Sequence, residues 1–301
     1  MKNILFRTDS SDKIGTGHVM RSLVLAEQFY NDKIIFASRD LPNNINYKIK
    51  NAGYKIEELK TNEIDELISL INIKRIDLIV IDHYGISYED EKKIKKKTNI
   101  KIFVLDDNFE KHHADILLNH NIYATKNAYK GLVPNACELR CGFNHLLIRE
   151  EFVNEKTKKN NSSNSPNKKI LISMGGADSR NLSTKILSAI KYLKKIEVIL
   201  VTTRANKNIH QLKSFINNYQ HKIILEIDTN EMAKLMRTSD LIITTPSVTS
   251  NEVYYMKIPF IAIKTENNQE HMFKFLKNNN FNVLDSFSSE KLKIMLNKIT
   301  F

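Results

Sequence analysis

The feature that most constrains this chain is an alternation of short apolar runs with helical stretches, and it occurs twice. In the first half, Ile, Val and Phe cluster between polar residues and predict buried strands at 3–6, 33–37, 77–81 and 101–105. Apolar residues recur at helical spacing between them, over 18–30, 63–74 and 88–97. Strands that alternate with helices in this way predict a parallel sheet covered by helices.

The second half repeats this pattern after a polar stretch. No large apolar side chain occurs between Val153 and Ile170, and the intervening run of Lys, Asn and Ser is typical of a linker. Strands are then predicted at 170–174, 197–201, 223–227, 241–244 and 260–263. We therefore predict an α/β chain of two Rossmann-like, doubly wound domains, at 1–154 and 170–301, joined by a linker at 155–169. Ligands are expected beyond the carboxyl ends of the strands, in a cleft between the domains.

Composition narrows the classes of partner. The net charge of +12 comes from lysines spread over many Asn-rich stretches, which favours a solvated basic surface, with an anionic small substrate as the second explanation. No apolar run reaches the about 20 residues that span a bilayer, and the first residues predict a strand, not a signal peptide. We expect a cytoplasmic monomer that neither inserts into a membrane nor binds nucleic acid.

A glycine loop follows the first predicted strand and opens the first helix. Gly15 and Gly17 would let the backbone approach a ligand closely. The loop departs from a dinucleotide fingerprint, because Met20 replaces the third glycine and Ser38 and Arg39 stand where a ribose-binding acid is expected. An NAD-dependent function is therefore not favoured, and we expect no cofactor.

His18 lies at the start of that first helix. The positive end of the helix dipole disfavours an imidazolium, so a neutral ring that can accept a proton is expected there. The alternative is a histidine that merely caps the helix. The flanking glycines and the second domain expected to face them favour a catalytic interpretation.

Two segments of the second half are candidates for binding a ligand. Gly175 and Gly176 follow a predicted strand and form either a tight turn or a backbone contact to the ligand. Ser247 and Val248 begin a helix whose free amides could bind a phosphate, and Glu252, one turn later, could reach a ribose diol with both carboxylate oxygens. The alternative for Ser247 is ordinary helix capping.

A metal site is not expected. His112 and His113 stand close in the chain to Asp106 and Asp107, but they lack the i, i+4 helical spacing of a metal motif. The two cysteines supply only half of a structural zinc site. Tyr84 follows the strand at 77–81 and is expected to face the cleft.

Several segments together resemble one known family. They are 6–11, 14–18, 81–87, 140–143, 147–152, 174–176 and 268–270. These segments are similar to the UDP-2,4-diacetamido-2,4,6-trideoxy-beta-L-altropyranose hydrolases of bacterial pseudaminic acid synthesis. The resemblance runs to about residue 280. That family is similar in turn to the UDP-GlcNAc transferases of peptidoglycan synthesis, so the resemblance implies a GT-B fold.

The resemblance also implies a reaction: hydrolysis at the anomeric carbon of a UDP-sugar by C–O cleavage with inversion and without a metal. It places the catalytic histidine on His18, with supporting polar groups on Tyr84 and Asn268. The implied uridine diphosphate contacts are Gly175, Gly176, Ser247, Val248 and Glu252. The tail after residue 280 is expected to form a helix that packs on the first domain.

Two other functions remain open at this stage. A glycosyltransferase on the same fold would use His18 to activate an acceptor hydroxyl or amine in place of water. A nucleotide-binding regulator without catalysis would hold His18 buried, without access to a ligand.

Overall fold

Continuous runs of Ile, Val, Leu and Phe build two parallel sheets in the computed structural model, which describes residues 1–158 and 167–299. The chain divides into two compact units, Met1–Leu147 and Ile148–Phe301. No helix in the described ranges is both long and apolar enough to cross a membrane. Each unit is described by itself below.

The first unit, all of whose residues are described, contains a seven-stranded sheet in the order β3-β2-β1-β4-β5-β6-β7. Its strands are β1 (Asn3–Thr8), β2 (Lys33–Arg39), β3 (Lys55–Leu59), β4 (Leu78–Asp82), β5 (Lys101–Leu105), β6 (Ile116–Asn119) and β7 (Glu138–Cys141). Its helices are α1 (Gly17–Ala26), α2 (Asn46–Asn51), α3 (Ile64–Lys74) and α4 (Tyr88–Thr98).

The described part of the second unit contains a six-stranded parallel sheet in the order β10-β9-β8-β11-β12-β13. Its strands are β8 (Lys168–Ser173), β9 (Ile196–Thr202), β10 (Lys222–Ile227), β11 (Leu241–Thr244), β12 (Phe260–Ile263) and β13 (Asn282–Leu284). Its helices are α5 (Glu150–Thr157), α6 (Leu182–Ile190), α7 (Ile209–Asn217), α8 (Met232–Arg237), α9 (Val248–Met256), α10 (Glu270–Asn278) and α11 (Ser289–Lys298).

Helices cover both faces of the first sheet, so neighbouring strand residues enter different cores. Leu5 and Ile79 lie in one apolar cluster, whereas Phe6 and Val80 lie in another. All four are fully buried. This explains why the central strands appear in the sequence as unbroken apolar runs without polar alternation.

Four strands were absent from the sequence predictions: β3, β6, β7 and β13. Three of them, β3, β7 and β13, lie at edges of the sheets. Edge strands keep one side open, and residues of β7 are exposed or only half-buried. Their sequences therefore carry polar side chains where a central strand is apolar, while β6 is only four residues long.

The division between the units differs from the predicted one. It falls between Leu147 and Ile148, not after residue 154, because α5 packs on the second unit. Arg237 of α8 donates from Nε to Glu155 of α5 at 2.6 Å, and the amide of Ala233 donates to Glu151 at 3.3 Å. Of the predicted linker 155–169, the first residues are helical and the last two belong to β8, while 159–166 lie outside the described residues.

The expected position of the C-terminal tail was wrong. The tail forms the helix α11, as predicted, but its Leu292 and Leu296 are buried in the core of the second unit. They share that apolar cluster with Ile186 and Ile190 of α6. Burial of this leucine stripe therefore makes α11 part of the second unit.

The order of strands reverses once in each sheet, which marks where ligands bind in folds of this kind. In the first sheet the reversal lies between β1 and β4, where Thr8 pairs with Asp82. In the second it lies between β8 and β11, where Ser173 pairs with Thr244. The glycine loop with His18 follows β1, and the segment at Ser247 follows β11, so these two segments lie at the two reversals.

Candidate active site

His18 lies in the first turn of α1, next to the carboxyl end of β4. Its Nδ1 is 2.6 Å from Oδ1 of Asp82, the last residue of β4. If Nδ1–H donates to this carboxylate, Nε2 carries the lone pair and can accept a proton. Because the ring pairs with a carboxylate and not with a helix amide, simple capping does not describe it. The negative charge of Asp82 thus lies beside the positive end of the helix dipole. The sequence prediction took only the dipole into account.

Arg21, one turn after His18, holds Asp82 from the other side. Its Nε lies 2.7 Å from Oδ2 of Asp82 and its Nη2 lies 2.5 Å from Oδ1, a bidentate pair. Burial alone would raise the pKa of Asp82, but the charges of Arg21 and His18 hold that pKa well below its usual range. Asp82 is therefore a permanent carboxylate that orients the imidazole.

Tyr84 joins the same group of side chains. Its ring meets the His18 imidazole edge to face, with centroids 4.5 Å apart. Its hydroxyl donates to Oδ1 of Asp107 at 2.8 Å, and Arg21 Nη1 lies 2.5 Å from Oδ2 of the same carboxylate. Desolvation and the negative charge of Asp107 raise the pKa of Tyr84, so its phenol remains protonated.

Sequence reasoning missed three members of this group: Arg21, Asp82 and Asp107. The signals were nevertheless present, because both aspartates stand at or just after the carboxyl end of a strand, where polar side chains reach the ligand edge. Arg21 follows His18 by three residues, which places both on one side of α1. Only the pairing of β1 with β4 brings Asp82 to His18.

The glycines of the first loop have different reasons to be glycine. Gly15 has a φ of +82°, and its amide donates to the Ser11 carbonyl at 2.8 Å, so this turn needs a residue that tolerates the left-handed region. A Cβ on Gly17 would meet no atom within 4 Å. Nothing in the packing of the described residues requires glycine at 17, which agrees with the space being kept for a ligand.

The two glycines of the second pair also differ in why the position needs glycine. Gly175 has a φ of +84° and open space beside it. A Cβ on Gly176 would lie 2.9 Å from the Thr203 side chain, and the Gly176 carbonyl accepts hydrogen bonds from Thr202 and Thr203. Packing alone therefore explains Gly176, whereas Gly175 leaves backbone open at the carboxyl end of β8.

The helix that follows this pair, α6, is capped by its own chain. Asp178 accepts the amide hydrogens of Leu182 at 2.8 Å and Ser183 at 3.0 Å, one on each carboxylate oxygen. A carboxylate at a helix N-terminus satisfies both the free amides and the dipole. The start of α6 is thus occupied before any phosphate arrives.

The N-cap residue of α9 does not cap it. This residue is Ser247, and its hydroxyl hydrogen-bonds the Thr245 hydroxyl at 3.0 Å and makes no capping hydrogen bond to the helix. The capping interpretation of Ser247 was therefore wrong. Val248 is exposed at the first position of the helix. This turn can offer backbone amides to an anion.

Glu252 lies one turn into α9 and is buried. Its Oε1 accepts two hydrogen bonds from Arg149, at 3.2 Å from Nε and 2.9 Å from Nη2. Burial raises the pKa of Glu252, and the positive charge of Arg149 opposes that rise. The expectation that both oxygens are available to a ribose needs correction, because Oε1 is already engaged.

The remaining predicted residue, Asn268, lies in the short 3₁₀ turn Asn267–Gln269 after β12 and is exposed. It belongs to the second unit, with Gly175, Ser247 and Glu252, whereas His18 and Tyr84 are in contact in the first.

Of the two histidines considered for a metal site, His112 forms ion pairs instead. His112 Nδ1 lies 2.7 Å from Glu91 and its Nε2 lies 3.7 Å from Asp106. Burial lowers the pKa of His112, but the two carboxylates outweigh it and raise that pKa to about 9. Within 1–158 and 167–299, no group of three or more His, Cys, Asp or Glu side chains is arranged to hold a metal ion.

Comparisons with known proteins agree on the fold. No family model matches the chain. MurG of Acinetobacter baumannii superimposes with a TM-score of 0.70 at 13% identity, over 99% of this chain and 90% of MurG. The Anabaena protein HepE, solved in complex with UDP-glucose, gives a TM-score of 0.60 at 13% identity, over 99% and 89%. At such identities the likeness shows the fold, which is GT-B.

A curated relative extends the agreement to sequence. The UDP-2,4-diacetamido-2,4,6-trideoxy-beta-L-altropyranose hydrolase of Campylobacter jejuni is 42% identical over 280 residues. The alignment covers 93% of this chain and 98% of the relative, so it extends over both units. The chain therefore belongs to the UDP-2,4-diacetamido-2,4,6-trideoxy-beta-L-altropyranose hydrolase family.

Proposed function

We propose that this protein hydrolyses UDP-2,4-diacetamido-2,4,6-trideoxy-beta-L-altropyranose to UDP and the free sugar, a step of pseudaminic acid synthesis. Membership of the hydrolase family supports the substrate. The observation that carries the mechanism is the contact of His18 Nδ1 with Asp82, at 2.6 Å. This contact leaves Nε2 as the proton acceptor.

The chemical step is a displacement at the anomeric carbon. His18 Nε2 removes a proton from water while the water oxygen forms its bond to C1, and the bond from C1 to the UDP oxygen breaks with its electron pair. Asp82 stabilises the imidazolium that forms, and attack opposite to the leaving group inverts C1. General base catalysis of this kind contributes ~100- to 10,000-fold.

The second unit binds the leaving group in this proposal. The first turn of α9, at Ser247 and Val248, directs its amides at the diphosphate, and the open backbone at Gly175 supplies a further contact. Oε2 of Glu252 accepts hydrogen bonds from the ribose. Because amides and the helix dipole share the developing negative charge, the step as proposed needs no metal ion. The observation that Ser247 makes no capping hydrogen bond to α9 supports this assignment.

Tyr84 and Asn268 are assigned to positioning. The Tyr84 phenol stays neutral, so it can orient the sugar or the water but does not act as a base. Asn268 is exposed and its side-chain amide can donate to and accept from a sugar substituent.

The experiment that tests the reaction is hydrolysis in heavy-oxygen water followed by mass spectrometry. C–O cleavage puts the label in the free sugar and leaves UDP unlabelled, because water attacks carbon. Label in the phosphate of UDP would contradict the mechanism while leaving the fold and the ligand intact. Proton NMR of the first sugar anomer released checks the inversion.

A glycosyltransferase is the second candidate, favoured by the structural likeness to MurG. It would release UDP only when an acceptor is present, so UDP formation with water alone decides between the two. The third interpretation is a regulator without catalysis, for which a buried His18 was the expected sign. His18 is indeed only 6% exposed, and family membership, not this burial, favours the enzyme.

A further inference from the structure

Arg149 has no part in the mechanism proposed above, yet contacts with three other side chains hold its guanidinium in place. It precedes α5, and its Nη1 lies 2.5 Å from Glu151 while Nε and Nη2 reach Glu252. Its guanidinium also lies 4.8 Å from the ring centroid of Phe152, which is fully buried. These contacts hold the guanidinium plane in one orientation.

The Arg149–Glu252 pair differs from an ordinary surface ion pair in its burial. The Glu252 side chain is only 10% exposed, so solvent screens the attraction little. Several exposed pairs of this chain join residues three positions apart on one helix, such as Lys234 with Glu231. The Arg149–Glu252 pair instead joins residues 103 positions apart in the chain.

The geometry is asymmetric at Glu252. Both hydrogen bonds from Arg149 fall on Oε1, which leaves Oε2 without a partner among the described residues. A carboxylate pinned through one oxygen presents the other in a defined direction. The charge of Arg149 also counters the rise in the pKa of Glu252 that burial produces, which keeps the carboxylate an acceptor.

We propose that Arg149 is a positioning residue of the nucleotide site, which fixes Glu252 through Oε1 so that Oε2 accepts the ribose hydroxyls. This inference rests on the proposed assignment of Glu252 to the ribose. It makes Arg149 a determinant of ribose recognition without contact to the ribose itself. Its removal therefore reduces the preference for a ribonucleotide over a deoxyribonucleotide.

The test compares calorimetric binding of UDP and 2′-deoxy-UDP to five proteins: wild type, Arg149→Met, Arg149→Lys, Glu252→Gln and the double variant Arg149→Met with Glu252→Gln. Methionine keeps an apolar stem over Phe152 while removing the guanidinium. We expect wild type to prefer UDP by ~10- to 100-fold, the range for a hydrogen bond to a charged group. Arg149→Met and Glu252→Gln should each lose most of that preference, and the double variant should lose no more than either.

Arg237→Met is the matched control. It removes another arginine–glutamate pair of the second unit, between Arg237 of α8 and Glu155 of α5 at 2.6 Å, without touching Glu252. This variant should keep the wild-type preference, whatever it does to thermal stability. Arg149→Lys keeps the charge but not the two contacts to Oε1, so it should recover part of the preference.

Three results would overturn the inference. One is an equal loss of affinity for both nucleotides in Arg149→Met, which would point to a diphosphate contact or to general support of the fold. Another is a full wild-type preference in Arg149→Lys, or in Arg149→Met. The last is an unchanged preference in Glu252→Gln, which removes the ribose assignment. Hydrolysis by the wild-type protein is measured separately, so failure of the proposed reaction is distinguishable.

Discussion

The two candidate sites satisfy their polar groups in opposite ways. In the first unit, Asp82 is engaged by both His18 and Arg21, so the chain supplies its own partners. In the second, the N-cap residue of α9 makes no capping hydrogen bond, and Glu252 keeps one oxygen free of the described residues. A group that does chemistry benefits from a fixed orientation before substrate arrives, whereas a ligand site needs donors and acceptors that are not yet used.

The same contrast occurs between two helix starts of the second unit. Both α6 and α9 follow a strand at the reversal of the sheet, but Asp178 caps α6 with both carboxylate oxygens. The N-cap residue of α9, Ser247, makes no such hydrogen bonds to its helix. Position in the fold alone therefore does not identify a phosphate site, because the side chains of the first turn decide it.

The largest effect is expected from replacing His18, which lies at the centre of the candidate site in the first unit. His18→Asn keeps polarity and much of the size but removes the proton acceptor, so turnover should fall by ~100-fold or more. UDP affinity should change little, because the UDP contacts are assigned to the second unit. Steady-state kinetics and calorimetry measure the two quantities. Near-normal turnover in this variant would exclude His18 as the base.

Asp82→Asn tests whether the carboxylate orients the ring. An amide can donate to Nδ1 and so favour the wrong tautomer, so turnover should fall by up to the ~100- to 10,000-fold that general base catalysis contributes. Asp107→Asn is the matched control, because it removes the other carboxylate of Arg21 and leaves the one beside His18. If both variants lose activity equally, the ion-pair network acts as a whole and the tautomer argument fails.

In the ligand site, Glu252→Ala should weaken binding of UDP by ~1 to 3 kcal/mol, since a hydrogen bond to a charged group is lost. Uridine should lose the same amount, because the contact is on the ribose. Calorimetry with both ligands is the measurement, with thermal unfolding as the check on folding. Unchanged affinity for UDP and uridine would make Glu252 a structural residue only.

The smallest effect is expected from substitutions at the starts of α6 and α9. Asp178→Ala should destabilise the protein by ~0.5 to 2 kcal/mol, the cost of losing an N-cap, without weakening UDP binding. Ser247→Ala should cost less stability, because its hydroxyl bonds Thr245 and not the helix. Urea unfolding of both variants makes the comparison. A larger loss from Ser247→Ala would mean that α9 is capped after all.

Sequence reasoning located the elements that are apolar throughout and the site residues next to them. The bounds of β5 and β11 match the predicted ones, and His18 and Tyr84 are in contact. Asp82 was missed as a partner because it lies 64 positions from His18 in the chain, and only the pairing of strands brings the two residues together. Periodicity reports burial of a single element, not which elements lie side by side.

The position of α5 could not be predicted from its sequence for a related reason. The sequence of α5 is polar and runs directly into the predicted linker, so periodicity does not show which unit the helix belongs to. Its contacts with α8 assign it to the second unit. Gly176 shows the same limit, since its need for glycine comes from Thr203, which is 27 positions away.

The side chains around His18 have a consequence for the cost of moving a proton. Asp82 and Asp107 carry two negative charges and Arg21 one positive charge, while Tyr84 remains neutral, so the cluster with a neutral imidazole sums to minus one. In the proposed step His18 accepts a proton from water, and the sum becomes zero. The partly buried cluster is thus electrically balanced in the protonated state, when the base has completed its task. Proton uptake there removes a net charge from the protein interior instead of creating one.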